Sequence, residues 1–318
     1  MGRFRTLSHG IWKANPVSGG RHASSVLELR LPSPLEELFD ERLAGAGVRL
    51  WLKRDDLVKP DLPGNKWRKL KHNVTAATAQ GDHTLLTFGD AYSDHIRATA
   101  EAGACFGFRT IGVIADDEHR PLTWSLEYAL SRGMRLAYLD RATYWQKTSP
   151  DVIAALHRQH GAFYLLPEGG SNELALRGCA ELPAEIGQDF DVICCPCGTG
   201  GTLAGIAMAL TPKQTAIGFS VLKDGEFLAG EISRLQRESF GACSDNWSVE
   251  PGFHFGGFAE ETPELGEFIA GFEHRHRLRL ERVYVAKMMY GIFVMTVRGM
   301  FQPGTRIVAV ITGPPTGI

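Results

Sequence analysis

No stretch of this sequence approaches the roughly 20 apolar residues that a helix needs to cross a bilayer. Its amino end, MGRFRTLSHGIWKANPVSGG, also lacks the apolar core of a signal peptide. A cytoplasmic protein is expected, with no membrane partner. Positive charge is not in excess either: 34 Lys and Arg stand against 36 Asp and Glu, a formal net charge of -2. A protein that tracks a phosphate backbone needs a clear basic excess, so no nucleic-acid partner is expected and a small molecule fits better. No repeat with a period of roughly 20 to 50 residues and no low-complexity linker is present, which excludes a solenoid and domains strung in series. Cysteine is scarce, with six in the chain. The cluster ICCPCG has no second Cys/His pair at zinc-finger spacing, and its three sulfurs close an apolar run that reads as a buried strand. Reduced, buried thiols are expected there, and no metal.

What the 318 residues do contain, with 44% apolar and 22% charged side chains, is enough apolar material for one large core or two domains. Apolar runs alternate with helical patterns: TLLTFG then DHIRATAEAGACFG, RTIGVIA then LTWSLEYALSRG, MRLAYLD then DVIAALHRQHG, AFYLLP then ELALRGCAELPAEIG, DVICCPC then LAGIAMAL. Strands without polar alternation are buried on both faces, so the pattern predicts an α/β fold with mostly parallel sheets flanked by helices. Ligands of such folds gather at the carboxyl ends of the strands.

Three loops fall at such ends. In PCGTGGTLAG, residues 196–205, Gly198, Thr199, Gly200, Gly201 and Thr202 separate a strand from an apolar helix. Glycines there let backbone N–H groups converge on an anion at the helix's positive end, although a turn needed only for tight packing has the same composition. The pattern is neither the Walker loop nor GxGxxG, which speaks against a nucleoside triphosphate or NAD. In TFGDAYSDHIRA, residues 87–98, Ser93 and Asp94 suit a helix N-cap, and the same free N–H groups could instead receive a substrate carboxylate. LPEGGSNELALRG, residues 166–178, reads as loop and cap. A fourth stretch, LPGNKWRKLKHN, sets Lys66 after a Gly-Asn pair, where by itself it reads as one more solvated charge on a basic amphipathic turn.

An isolated lysine after Gly-Asn, a Gly/Thr anion loop and a Ser-led helix start together describe a pyridoxal phosphate enzyme, which needs one amine, one phosphate cradle and one carboxylate site. Along nearly its whole length the chain resembles the D-cysteine desulfhydrase and 1-aminocyclopropane-1-carboxylate deaminase family of fold type II pyridoxal phosphate enzymes. LKRDDL, GNKWRKL, TFGDAYSDHIRATA, LPEGGSN, CGTGGTLAGI, FHFGGFAEETPEL and YVAKMMYGIF carry the resemblance, in the family's order. It implies two interleaved domains: residues 1–66 with 172–318 as the larger, cofactor-binding domain, and 67–171 inserted as the smaller. It further implies a homodimer and a small amino acid as substrate. Lys66 matches the Schiff-base lysine, and Lys66, Ser93 and Tyr284 form the implied catalytic set. Asn65, Lys66, Asp94, Cys197, Gly198, Thr199, Gly200, Gly201, Thr202 and Thr312 are implied to bind the cofactor, and Ser93, Asp94, His95 and Tyr290 the substrate. A lysine so placed, desolvated and released by substrate, is a neutral base for the Cα proton.

The chain departs from the family where Asp90 replaces Gly and Asp94 replaces Asn. The resemblance implies that this Asn bonds the cofactor's phenolic oxygen, and a carboxylate about 4 Å from that phenolate costs on the order of 4 kcal/mol at an effective dielectric near 20, so Asp94 has to be protonated, turned away or compensated. Val285 and Ala286 stand where the desulfhydrase branch has Thr-Gly and the deaminase branch Glu-Gly. Near the end, Thr312 and Gly313 remain, Ile311 displaces His, and Pro314 and Pro315 follow. The expected activity is α,β-elimination of the D-cysteine desulfhydrase type, giving a 2-oxo acid and ammonia. The alternative is a diverged pyridoxal phosphate-binding member with another amino-acid reaction or no catalysis.

Overall fold

The computed structural model describes residues 11–12, 27–59, 61–62, 64–115 and 121–314; most of the amino-terminal stretch quoted above, and Pro315, lie outside them. The chain divides into two compact units, one containing Lys69–Asn172, the other Arg30–Arg68 and Glu173–Ile318. The division falls inside a single helix, Gly64–Gln80.

The second unit is built on a six-stranded sheet. Its order is Trp247–Glu250, Thr215–Ser220, Val192–Cys197, Arg306–Val310, Arg49–Lys53 and Leu35–Leu38. All neighbours pair in parallel except the last, where Leu35–Leu38 runs antiparallel to Arg49–Lys53 at the edge. Successive residues of a strand point to opposite faces, and here each face meets its own core. Cys194, Ile307, Ala309, Leu50 and Leu52 pack with Leu265, Ile269 and Phe272 of helix Pro263–His276 and with Met288, Met289 and Ile292 of helix Val285–Val297. Ile193, Cys195, Cys197, Val308, Val310 and Trp51 pack with Leu176, Leu203, Ile206, Leu228 and Ile232 from helices Glu173–Cys179, Gly201–Met208 and Phe227–Phe240. The runs lack polar alternation because neither face of the sheet meets water.

The first unit repeats the scheme with four parallel strands, in the order Arg135–Leu139, Arg109–Ala115, Thr84–Gly89 and Tyr164–Leu166. Ile111 and Val113 join Leu86, Phe88 and Leu156 on one face, while Ile114 joins Ile96, Ala100, Leu126 and Met134 on the other.

The expected α/β alternation is therefore found, element by element, from Thr84–Gly89 to Gly201–Met208. One helix is shorter than its sequence pattern. ELALRGCAELPAEIG is helical only over Glu173–Cys179, followed by a 3-10 turn at Pro183–Glu185. Pro183 has no N–H for the carbonyl of Cys179, four residues earlier, so the α-helical ladder cannot run through it. The ICCPCG cysteines are free thiols: Cys194, Cys195 and Cys197 are buried in the strand, and burial pushes the Cys194 thiol far up from its ordinary value. Among the described residues no helix is long and apolar enough to cross a membrane.

Helices Glu173–Cys179 and Gly201–Met208 approach through Gly205, where a Cβ would lie 2.5 Å from the carbonyl oxygen of Leu176 and 2.7 Å from Cβ of Cys179. Both neighbours are backbone or the root of a side chain and cannot swing aside. Gly205→Ala is expected to lower unfolding free energy by about 1–3 kcal/mol despite alanine's better helix propensity; an unchanged urea midpoint would refute the close approach.

Candidate functional site

In the second unit, every strand that borders a nominated residue ends on the same edge of the sheet. Arg49–Lys53, Arg306–Val310 and Val192–Cys197 are parallel neighbours, so the segments after their carboxyl ends emerge side by side. Those segments lead to Lys66, to Thr312 and to Gly198.

The route from Lys53 to Lys66 is set by a buried ion network. Arg68, two residues past Lys66, is 1% exposed at its side chain. Its guanidinium donates to both oxygens of Asp55, at 2.8 and 2.9 Å, and to both oxygens of Glu185, at 2.7 and 2.8 Å. The Ser33 hydroxyl donates to Asp55 at 2.6 Å, and Lys53 Nζ donates to the Ser33 carbonyl at 2.7 Å and to Glu185 at 3.2 Å. Burial works against the charge on Arg68, but Asp55 and Glu185 outweigh it and hold the guanidinium protonated, its pKa raised well above the ordinary value. Lys53 has the opposite balance, with burial pulling its pKa down against Glu185 and Asp55. The helix starts at Gly64, where a Cβ would meet the carbonyl oxygen of Asp55 at 2.6 Å and Val58 Cγ2 at 2.8 Å, so only glycine fits against the turn that carries Asp55. Asn65 and Lys66 then stand half-buried in the first turn, and Trp67 and Arg68 are each 1% exposed. The run KWRKLK is thus not a solvated amphipathic turn. The sequence pattern missed Arg68, since a basic run looks the same whether its members are paired in a core or hydrated.

Two strands across, beyond Arg306–Val310, Cys197 closes its strand and Gly198–Thr202 turn the chain into helix Gly201–Met208. Gly200 takes the left-handed conformation, φ 74°, and a Cβ on it would lie 2.7 Å from Ile232. A Cβ on Gly198 would lie 3.3 Å from Cε1 of Tyr284, so the structure brings Tyr284 directly against this turn. Gly200, Gly201 and Thr202 are buried, and Gly198 and Thr199 partly so. A glycine cradle at a helix N-terminus, capped by no side chain of its own, offers converging N–H groups and the positive end of the dipole; it fits a phosphate. Thr312, buried, follows the adjacent strand Arg306–Val310.

Tyr284 is also the N-cap of helix Val285–Val297, and the N–H groups leading into it donate to the buried carboxylate of Glu281: Val283 at 2.7 Å, Tyr284 at 2.8 Å and Val285 at 3.0 Å. Val285 itself is 0% exposed and lies in the apolar core. Tyr290 has different company from Tyr284. Its hydroxyl donates to Glu264 and its ring packs among Phe253, Phe255 and Phe268. Burial and that carboxylate push its pKa up to about 12.

In the first unit, Ser93 is the N-cap of helix Asp94–Phe106 and accepts the Ile96 N–H at 3.3 Å. Gly89 makes room for it, since a Cβ there would sit 2.7 Å from Ser93 Oγ. Asp94 is compensated: Arg97 donates to it at 3.0 Å, with side chains 9% and 18% exposed for Arg97 and Asp94. The guanidinium also lies over the Trp124 ring, 4.4 Å from its centroid. Spacing i, i+3 in a helix was the available signal for this pair. His95 is buried at 1% exposure, its ring within 2.7 Å of where a Cβ on Gly170 would be. Glu168, in the turn that leads to Gly170, accepts from Tyr144 at 2.9 Å and pairs with Lys147 at 3.1 Å. Burial raises the pKa of Asp90, assisted by Glu168 and Asp94.

With this geometry in place, comparison with known proteins gives four results. The pattern described as "Pyridoxal-phosphate dependent enzyme" matches residues 26–223. The "Bifunctional D-cysteine desulfhydrase/1-aminocyclopropane-1-carboxylate deaminase, mitochondrial" of Arabidopsis thaliana is 30% identical over 314 residues, covering 91% of this chain and 77% of that protein. Among solved structures, an "ACC deaminase homologue" superposes with a TM-score of 0.79 at 25% identity over 90% of each chain. A hydrogen sulfide-producing enzyme from Fusobacterium nucleatum shares the fold, with a TM-score of 0.67 at 14% identity over 92% of this chain and 98% of that one.

Two substitutions test the local geometry. Arg68→Met would leave Asp55 buried without its guanidinium partner, and a loss of about 3–5 kcal/mol is expected in denaturant unfolding; a loss below 1 kcal/mol would contradict the network. Asp94→Asn would cost only a few tenths of a kcal/mol if Asp94 served the helix start alone. Because it leaves the buried Arg97 without its carboxylate, about 1–3 kcal/mol is expected instead.

Proposed function

The chain belongs to the pyridoxal-phosphate dependent enzymes, and from that premise we propose that it is a lyase that eliminates a β-substituent from a small amino acid, as D-cysteine desulfhydrases do. Pyridoxal phosphate, when bound, supplies the electron sink that makes a Cα proton acidic; the rest is the work of this chain's side chains. Lys66 is read as the amine that would carry the cofactor and, as a free amine, would take the Cα proton. The N–H groups of Gly198–Thr202 hold the phosphate, with Thr199 and Thr202 offering hydroxyls and Tyr284 closing one side. Asn65 and Thr312 complete the cofactor set. Ser93 and the start of helix Asp94–Phe106 are read as the carboxylate site, and Arg97 keeps Asp94 from repelling an anion there.

The choice of elimination over ring opening rests on one observation. Val285, where the deaminase branch of the family carries Glu, is a wholly buried core residue, and the nearby carboxylate of Glu281 is taken up by three backbone N–H groups. No acid at position 285 can protonate the pyridine nitrogen, so the ring is the weaker sink that elimination tolerates. A second reading, a family member with another reaction or none, draws on Asp90, which is acidic where the family has glycine and whose carboxyl is held toward its neutral form.

Borohydride reduction of the loaded protein followed by peptide mapping should place the cofactor on Lys66, and label elsewhere would remove the central assignment. Sulfide, 2-oxo acid and ammonia should appear with D-cysteine while 1-aminocyclopropane-1-carboxylate yields no detectable ammonia. Comparable turnover of both would reject the branch, and turnover of neither would favour the second reading.

A further inference from the structure

Helix Val285–Val297 presents a lysine to a segment without regular secondary structure. Tyr284, Lys287 and Gly291 follow one another at i, i+3 and i+7, which places them on one side of the helix, with Tyr290 at its margin. All four face residues 253–259. Lys287 is wholly buried, and its Nζ donates to the carbonyl of His254 at 2.8 Å and to that of Gly257 at 2.6 Å. Tyr290 packs on Phe253 and Phe255. A Cβ on Gly291 would fall 2.8 Å from Phe253. The ring of Phe258 meets that of Tyr284 edge-on at 5.8 Å.

The segment needs such fastening. Four of its residues have left-handed φ: Phe255 at 54°, Gly256 at 101°, Gly257 at 132° and Ala259 at 59°. Two of these are not glycine, so the path is one the chain would leave if nothing held it. Its own backbone bonds are few and long, Gly257 N–H to His254 at 3.1 Å and Glu260 N–H to Gly257 at 3.2 Å. Both N–H groups donate to the carbonyls to which Lys287 also donates. An ammonium is suited to this place because it donates to two carbonyls at once, and the neutral amine would keep two N–H groups for the same pair. Burial holds the lysine's pKa down to about 8, against the pull of Glu281 ahead of the helix and of Glu260 and Glu261 at the end of the segment. Glu261 is itself paired to Arg282 at 2.7 Å.

We propose that Lys287 is a positioning residue for the phosphate turn: by fixing residues 254–257 it seats Phe258 against Tyr284, and Tyr284 against Gly198. The chain of contact is continuous, from the Nζ hydrogen bonds through the Phe258–Tyr284 ring pair to the 3.3 Å separation between Tyr284 and the Cβ position of Gly198. This rests on the reading of Gly198–Thr202 as the phosphate site. It assigns Lys287 no contact with cofactor or substrate.

The test uses the full-length apoprotein, with inorganic phosphate and pyridoxal phosphate as probes, and amide hydrogen exchange as a readout that needs neither. Lys287→Met should speed exchange by about tenfold both at residues 254–259 and at Gly198–Thr202, leave the strand Thr84–Gly89 unchanged, and raise both dissociation constants by about tenfold. Phe258→Leu should loosen Gly198–Thr202 while residues 254–257 stay protected, and the double variant should add nothing further at Gly198–Thr202. Should Lys287→Met fail to fold, Lys287→Gln, whose shorter stem cannot bring one nitrogen to the carbonyls of both His254 and Gly257, takes its place under the same criteria. Faster exchange confined to 254–259, with Gly198–Thr202 and both affinities unchanged, overturns the proposal. Failure of the unmodified protein to bind either probe would instead defeat the phosphate reading, and the exchange coupling would still decide whether Lys287 acts on the turn.

Discussion

A guanidinium cannot be taken out of water alone, and the 1% exposure of Arg68 dictates much of what surrounds it. Two carboxylates have to come to it, so Asp55 from the turn after one strand and Glu185 from the turn after a distant helix converge on one point, with Lys53 and Ser33 absorbing the oxygens left over. The desolvation of four charged groups cancels most of their attraction, so the network does not add much stability. What it adds is uniqueness. Few other placements of the first turn of helix Gly64–Gln80 satisfy all of these donors, and Lys66 inherits its position from that restriction.

Glycine supplies the second constraint. At Gly64 the helix abuts the carbonyl of Asp55, at Gly198 the backbone abuts the ring of Tyr284, and at Gly200 a left-handed turn brings the chain against Ile232. At Gly64 the neighbour is backbone, which cannot swing aside; at Gly198 and Gly200 it is the side chain of Tyr284 and of Ile232. The turns that carry Gly64, Gly198 and Gly200 therefore follow the carboxyl ends of their strands with little room for a side chain at those positions.

In the other unit the same economy of charge operates on Asp94. A carboxylate at a helix start is favourable to the dipole, yet it would oppose an anion arriving at the same N–H groups. Arg97, one turn on and stacked over Trp124, answers the charge without leaving the helix. Lys147 does the same for Glu168. The substitution that set this chain apart from its family is therefore matched by a partner within three residues.

Sequence alone determined the order of strands and helices, because a strand buried on both faces has to be apolar throughout and a helix has to repeat at 3.6 residues; both patterns are local. It also marked Gly198–Thr202 and Ser93, since glycine clusters and capping residues act on the backbone nearest to them, whereas Lys66 stood out only through the family resemblance. It did not reveal Arg68, which lay hidden in a basic run, or Lys287, which lay hidden in an apolar helix. Nor did it give the different surroundings of Tyr284 and Tyr290, six residues apart on one helix. The partners of Arg68 lie 13 and 117 residues away and those of Lys287 lie 30 and 33 away. Whether a charge is hydrated or paired in a core depends on such distant groups, and only the folded chain brings them together.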